Sequence, residues 1–180
     1  MNKQLPTPKA FKRSPSLEIS TWYKGILITQ LAGEADTGGA FDLVVSKMRK
    51  GTEPPPHVHS REHEFFYILA GKLKVYVEDA IFQVEAGDCV FLPKGNPHAF
   101  LIQSPEIHIL SLITPGGFMG AINDMGAPAE KMEIPADDAV TYTTANLEGT
   151  MRIFEQYGIR LLTPEEIARQ MPEFPTSPAM

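Results

Sequence analysis

The chain has 180 residues, a net charge of −6 at neutral pH and a single cysteine. That length makes one ordinary domain, able to bury roughly 70% of its unfolded surface without a disulfide or a structural metal. The acidic balance argues against a nucleic-acid partner, no apolar run of about eighteen residues offers a membrane span, and a lone Cys89 suits a reducing, cytoplasmic setting.

Residues 1–19 are polar and carry Pro6, Pro8 and Pro15; they read as an arm that is ordered only where it docks, with no apolar run of signal-peptide length. Branched apolar runs at Gly25–Leu31 and Phe41–Met48 predict strands, joined by a turn-rich link over Gly33–Gly39. Gly51 and Pro54–Pro56 close a rigid turn. Further strands are predicted at Glu64–Ala70, Leu73–Glu78, Ile81–Glu85, Cys89–Leu92, His98–Ile102 and Ile107–Ile113. Short strands at this spacing mean an all-β sandwich or barrel, and no amphipathic helix interrupts them to build a parallel βαβ sheet.

After Thr114 the pattern turns helical. Phe118, Ala121, Ile122 and Met125 recur at helical spacing behind Pro115-Gly116-Gly117, as a cap on the barrel or a lid over its mouth. A polar loop from residue 137 leads into a short helix around Thr144–Tyr157. Thr163-Pro164-Glu165-Glu166 is a helix start with a capping box, and residues 172–180 should fray. The expected division is an arm (1–19), a barrel with its capping helix (20–135) and an extension (136–180) packing on the barrel or on a partner.

The chemistry concentrates in Gly51–Gly71, which holds His57, His59, His63 and Glu64, and in His98 further on. Alternate side chains of an extended segment share a face, so His57 and His59 project together. Ser60-Arg61-Glu62 is a bend that brings Glu64 to the same side; if the bend falls differently, Glu62 takes its place. His98 opens another strand. Three imidazoles and one carboxylate leave one or two positions open on a six-coordinate ion, which is a catalytic rather than a closed structural arrangement. Alternation turns His63 away from the ion. His108 reads as a core or surface histidine, and Cys89 as packing.

The same residues match a family pattern. Gly51-x5-His57-x-His59-x4-Glu64-x6-Gly71, followed by Gly87-x5-Pro93-x-Gly95-x2-His98, resembles the two motifs of the cupin family. Thr37-Gly38-Gly39, the PPPHVH approach, Glu64-Phe65-Phe66-Tyr67 and Pro115-Gly116-Gly117-Phe118 resemble the quercetinase-like group of single-domain cupins. The resemblance implies a double-stranded β-helix (jelly-roll) barrel with short C-terminal helices. It implies one divalent metal, Fe, Mn, Ni or Co, held by His57, His59, Glu64 and His98, with Zn able to occupy the site on isolation. It further implies that Glu64 is the catalytic base, and that the reaction is cleavage of a flavonol-like or other aromatic or enolic molecule by dioxygen. Where the family often carries asparagine, this chain has Ile102.

Strand alternation places Met48, Phe66, Ile68, Phe91, Phe100, Ile102, Leu110 and Leu112 inside; of these Met48, Phe66, Phe91, Phe100, Ile102 and Leu112, joined by Phe118, make the substrate pocket. This lining suits a flat apolar substrate with a chelating oxygen. A phosphosugar enzyme would want inward lysine or arginine, and none is placed there. The alternatives are a non-catalytic small-molecule-binding cupin and a metal-dependent isomerase or lyase acting on a small acid. Exposed barrel edges make a homodimer the expected assembly.

Overall fold

The computed structural model describes residues 5–136 and 141–175, so the start of the expected polar loop (137–140) and most of the fraying tail (176–180) lie outside it. In chain order the elements are β1 (Ser20–Tyr23), β2 (Ile26–Ala32), α1 (Glu34–Thr37), β3 (Asp42–Arg49), β4 (His57–His59), β5 (His63–Ala70), β6 (Lys72–Val77), β7 (Ala80–Glu85), β8 (Cys89–Leu92), β9 (His98–Ile102) and β10 (Glu106–Thr114). They continue with α2 (Met119–Met125), β11 (Ala127–Pro128), α3 (Thr144–Gln156), β12 (Ile159–Leu161) and α4 (Pro164–Gln170). The strands form two antiparallel sheets, ordered β11-β1-β2-β3-β10-β5-β8 and β12-β4-β9-β6-β7. These sheets face each other as a jelly-roll barrel. No helix among the described residues is long and apolar enough to cross a membrane.

Period-two burial sets what each strand contributes. On β5, Glu64, Phe66 and Ile68 point inward, while Phe65, Tyr67 and Leu69 are exposed. β6 follows after one residue, and Gly71 makes that reversal possible. Its φ is +91°, and a Cβ there would lie 2.5 Å from the carbonyl oxygen of Glu106.

Three inward assignments made by alternation are corrected here. On β10 the buried set is Ile107, Ile109, Ser111 and Ile113, so Leu112 and Leu110 face outward with His108. The register shift between His108 and Ile109 falls on β5, where Leu69 is passed over, and β10 keeps its alternation through it. On β8, Val90 and Leu92 are buried, whereas Phe91 is 44% exposed. Phe91 is paired across the ladder with Phe65, and the two rings stack at 4.6 Å on the outer face. Cys89 shares that outer face; it is exposed rather than packed.

The chain downstream of the barrel folds back onto it. β12 pairs antiparallel with β4, and Phe154 of α3 joins the main core. The expected capping box opens α4: Thr163 Oγ accepts from the Glu166 amide, and the Glu166 carboxylate accepts from the Thr163 amide at 2.9 Å. Glu166 also pairs with Arg160 at 2.6 Å, which ties α4 to β12. At the other end, Arg13 of the arm grips Asp36 of α1 through both ends of its guanidinium, at 2.6 and 3.0 Å.

Candidate metal centre

The fold brings His57, His59, Glu64 and His98 to one point inside the barrel, all four buried. One ligand atom from each lies within 4.8 Å of all the others, a span little wider than two metal–nitrogen bonds of about 2.1 Å. Two sheets supply them. His57 and His59 stand on β4, and His98 stands on β9 directly opposite His57 in the ladder. Glu64 comes from β5 in the facing sheet, with Oε2 3.2 Å from His98 Nε2 and 3.7 Å from His59 Nε2. The amide of Gly95 donates to the His59 carbonyl at 2.7 Å, which holds the approach to His98 against the strand carrying the other two histidines.

Each imidazole is oriented from behind. His57 Nδ1 lies 2.8 Å from the Pro55 carbonyl, His98 Nδ1 3.1 Å from the Asn96 carbonyl and His59 Nδ1 3.3 Å from Glu62 Oε2. A carbonyl only accepts, so Nδ1 of His57 and of His98 carries its proton and donates it, and Nδ1 of His59 faces the Glu62 carboxylate in the same way. In the neutral ring each Nε2 then has its lone pair facing the other donors, as a metal ligand requires.

The rings differ electrostatically: burial pushes His59 down, but Glu64 and Glu62 outweigh it and raise it above the ordinary histidine value, so a metal there displaces a proton. Burial, followed by the neighbouring His98 and His59 rings, pushes His57 down to about 3 and keeps it neutral. Burial pushes the Glu64 carboxyl up, but His59 and His98 outweigh it and hold the carboxyl down at about 2, ionised at neutral pH. Among the described residues His98 Nε2 is buried without a hydrogen bond, since Glu64 Oε2, 3.2 Å away, is not aligned for one. An orphaned ring nitrogen inside a core is costly, and a cation at this point would satisfy it. The residues present therefore fit a divalent metal with one carboxylate, three imidazoles and open positions.

Around these donors lies a mainly apolar pocket. Of the seven side chains expected in it, Met48, Phe66, Phe100 and Phe118 line it. Ile102 is fully buried in the adjoining core but does not line the pocket, and Phe91 and Leu112 face away. Their places are taken by Ile109, Ser111 and Ile113 of β10, with Ile28 and Val44. Phe118 packs against the His59 ring, with centroids 5.4 Å apart. His63 is outside the cluster and accepts from the Lys94 amide at 3.1 Å through Nδ1.

Sequence reasoning missed two groups. Glu62 stands behind His59 as its orienting carboxylate rather than replacing Glu64. A carboxylate three residues beyond a ligating histidine was the available signal. Tyr142, Phe154 and Ile159, from beyond the barrel, also line the pocket, as does Tyr23 of β1. No periodicity in the sequence points those residues at a site.

Residues 44–113 match the family described as "Cupin domain". Quercetin 2,3-dioxygenase of Bacillus subtilis is 30% identical over 107 residues, covering 59% of this chain and 32% of the relative. Quercetin 2,3-dioxygenase of Aspergillus japonicus is 26% identical over 148 residues, covering 71% of this chain and 41% of the relative. The aligned part thus spans well under half of either curated relative. Among solved structures, an RmlC-like cupin from Shewanella frigidimarina is 20% identical with a TM-score of 0.49, covering 63% of this chain and 96% of that one.

Proposed function

We propose that this chain, a cupin with quercetinase-like relatives, is a metal-dependent dioxygenase acting on an aromatic or enolic small molecule such as a flavonol. The observation that carries the proposal is the convergence of three Nε2 lone pairs and one ionised carboxylate on a point inside an apolar pocket. His57, His59, Glu64 and His98 would hold the ion. Bound there, Fe, Mn, Co or Ni would supply Lewis acidity to stabilise an anionic substrate and support its reaction with dioxygen.

The protein's own part is specific. Glu64 Oε2 would accept the proton of the substrate hydroxyl as the enol or phenol becomes an anion. Phe66, Phe100 and Phe118 provide flat apolar surface and exclude water. The backbone acceptors behind His57 and His98 keep those rings from turning as charge develops. Under the same proposal the chain divides into an arm (1–19), a barrel (20–135) and an extension (136–180), and it associates as a homodimer. The exposed row Phe65, Tyr67, Leu69 and Phe91 on the outer face of β5 and β8 supports association, which light scattering would test.

The decisive experiment is oxygen consumption by protein loaded in turn with Fe, Mn, Co and Ni, against a panel of flavonols and single-ring enols. Uptake with at least one pairing, lost in Glu64→Ala, is the expected result. Substrate binding with no uptake under any metal would refute the oxygenase reading.

A further inference from the structure

We propose that the metal pocket takes a compact ligand, of one ring or less with adjacent enol or phenol oxygens, and that Tyr142, Phe154 and Ile159 set that size limit. The inference rests on the metal-site reading above and narrows its substrate.

The first observation is volume. The cavity among the pocket residues amounts to about 90 Å³. An apolar cavity of about 150 Å³ is what accommodates benzene, and a three-ring flavonol needs roughly three times as much. A bound ion would take up part of the 90 Å³ as well. A single ring enters if one lining side chain swings aside. Phe118, which is not part of the wall, is only half-buried and is the side chain free to do so. A flavonol would require the wall itself to leave.

The second observation is what the wall is made of. Tyr142, Phe154 and Ile159 all lie beyond residues 44–113, the part that matches the cupin domain. Ile159 is buried in β12, whose ladder to β4 places it opposite His59, so this side of the pocket is joined to the strand bearing the donors. Phe154 is buried in the core from α3. Tyr142 is held by Tyr23, hydroxyl to hydroxyl at 2.8 Å, with the rings edge to face at 6.1 Å. The wall is thus built into the fold at two of its three residues and latched at the third.

The third observation concerns polarity. Apart from the metal donors, the pocket's polar groups are the Tyr23–Tyr142 hydroxyls, Ser46 and Ser111. Burial raises both phenols, so both keep their protons. One of those two protons is used between the tyrosines, and the other can be donated to a ligand. A compact molecule with a polar group beyond its chelating oxygens fits this set.

The test uses full-length, Ni-loaded protein under nitrogen, titrated calorimetrically with catechol and with quercetin. Wild type should bind catechol at least tenfold more tightly than quercetin. Tyr142→Ala should shrink that ratio by tenfold or more at unchanged metal content. Tyr142→Phe, which keeps the ring, should preserve it. Phe154→Ala, if folded, should act like Tyr142→Ala; if it does not fold, the two Tyr142 variants decide. Quercetin bound as tightly as catechol, neither ligand bound, or a ratio unmoved in Tyr142→Ala would overturn the proposal. Oxygen uptake, read separately in air on protein loaded with Fe, Mn, Co and Ni, keeps the two readings apart, because catechol bound without uptake under any of the four removes the oxygenase and leaves the size limit standing.

Discussion

Ile159 stands directly opposite His59 in the β12–β4 ladder, so the last strand of the chain is hydrogen-bonded to the strand carrying two of the four donors. The ladder is extended on both sides: the Ser60 amide donates to the Gly158 carbonyl at 2.8 Å and the Leu162 amide to the Pro56 carbonyl at 2.9 Å. β4 has only three residues and meets β9 at a single pair, His57 with His98. β12 is therefore its main lateral support. Ile159→Ala should cost about 2–5 kcal/mol, the usual range for emptying a buried isoleucine site. It should also weaken metal binding at temperatures where the variant is still folded. Urea denaturation with chelator present gives the first quantity and competition against a chromogenic chelator the second. Full metal affinity in a destabilised variant would show that β12 supports the fold but not the site.

Glu62 tests how much the orientation of His59 matters. Its Oε2 lies 3.3 Å from His59 Nδ1, and both side chains are buried. Loss of such an outer partner typically costs 10–100-fold in metal affinity. Glu62→Ala should fall in that range. Glu62→Gln, which still offers an acceptor oxygen but no charge, should fall short of it. The same chelator competition reads both, and equal affinity in all three proteins would remove Glu62 from the site.

Metal binding should stabilise the fold, because it joins β4 and β9 of one sheet to β5 of the other and satisfies His98 Nε2. At an ion concentration 100 times the dissociation constant, linkage gives about 2.7 kcal/mol. For a chain of this size that is a rise of about 5–10 °C in melting temperature. His98→Ala and His57→Ala should abolish the rise while leaving a cooperative transition in the presence of chelator. Differential scanning calorimetry with and without the ion measures it, and an unchanged rise in His98→Ala would place the ion elsewhere.

Most of the strands, the three helices after β10 and the grouping of the four donors were legible because each rests on a local signal. Branched apolar runs marked the strands. Thr163 and Glu166 announced their helix, and glycines marked the reversals. The losses share a physical cause. β1 and β12 are only four and three residues long, too short for alternation to register, and β4 was hidden behind three prolines. Phe91 and Leu112 were assigned inward because alternation gives two faces without saying which is the core. Starting the alternation of β10 one residue out reverses the whole strand. The tyrosine pair was out of reach for another reason: Tyr23 and Tyr142 meet across 119 positions, and nothing local to either names the other.

Those corrected faces can be measured. Phe66 is buried and meets Phe100 edge to face at 5.8 Å, whereas Phe91 lies outside against Phe65. Phe66→Ala should cost about 3–5 kcal/mol. Phe91→Ala should cost about 1 kcal/mol or less, the worth of a surface aromatic contact. On β10 the same contrast is expected between Ile113→Ala, buried, and Leu112→Ala, half-exposed. Urea denaturation of the four variants decides, and equal losses within either pair would reverse the assignment of that strand.

The arm offers a prediction with a definite sign in pH. The Arg13 guanidinium, bonded to both oxygens of Asp36, holds that carboxyl below its usual range, and the Gly33 amide adds to the effect at 3.0 Å. A carboxyl whose value is lowered on folding contributes stability that is present above its unfolded value, about 3.9, and is lost as pH falls through the lowered folded value. Both side chains are close to one-third exposed, so solvent and salt reduce the contribution to about 1 kcal/mol or less. Arg13→Ala should therefore be less stable than wild type by up to that amount at pH 6–7, and the gap should close towards pH 2–3. Urea denaturation across this range at low salt measures it. Arg13 also donates to the Leu31 carbonyl at 3.0 Å and lies over the Phe11 ring at 4.6 Å, and neither contact titrates with Asp36. A gap that stays constant from pH 7 to pH 3 would assign the docking of the arm to those two contacts instead of the ion pair.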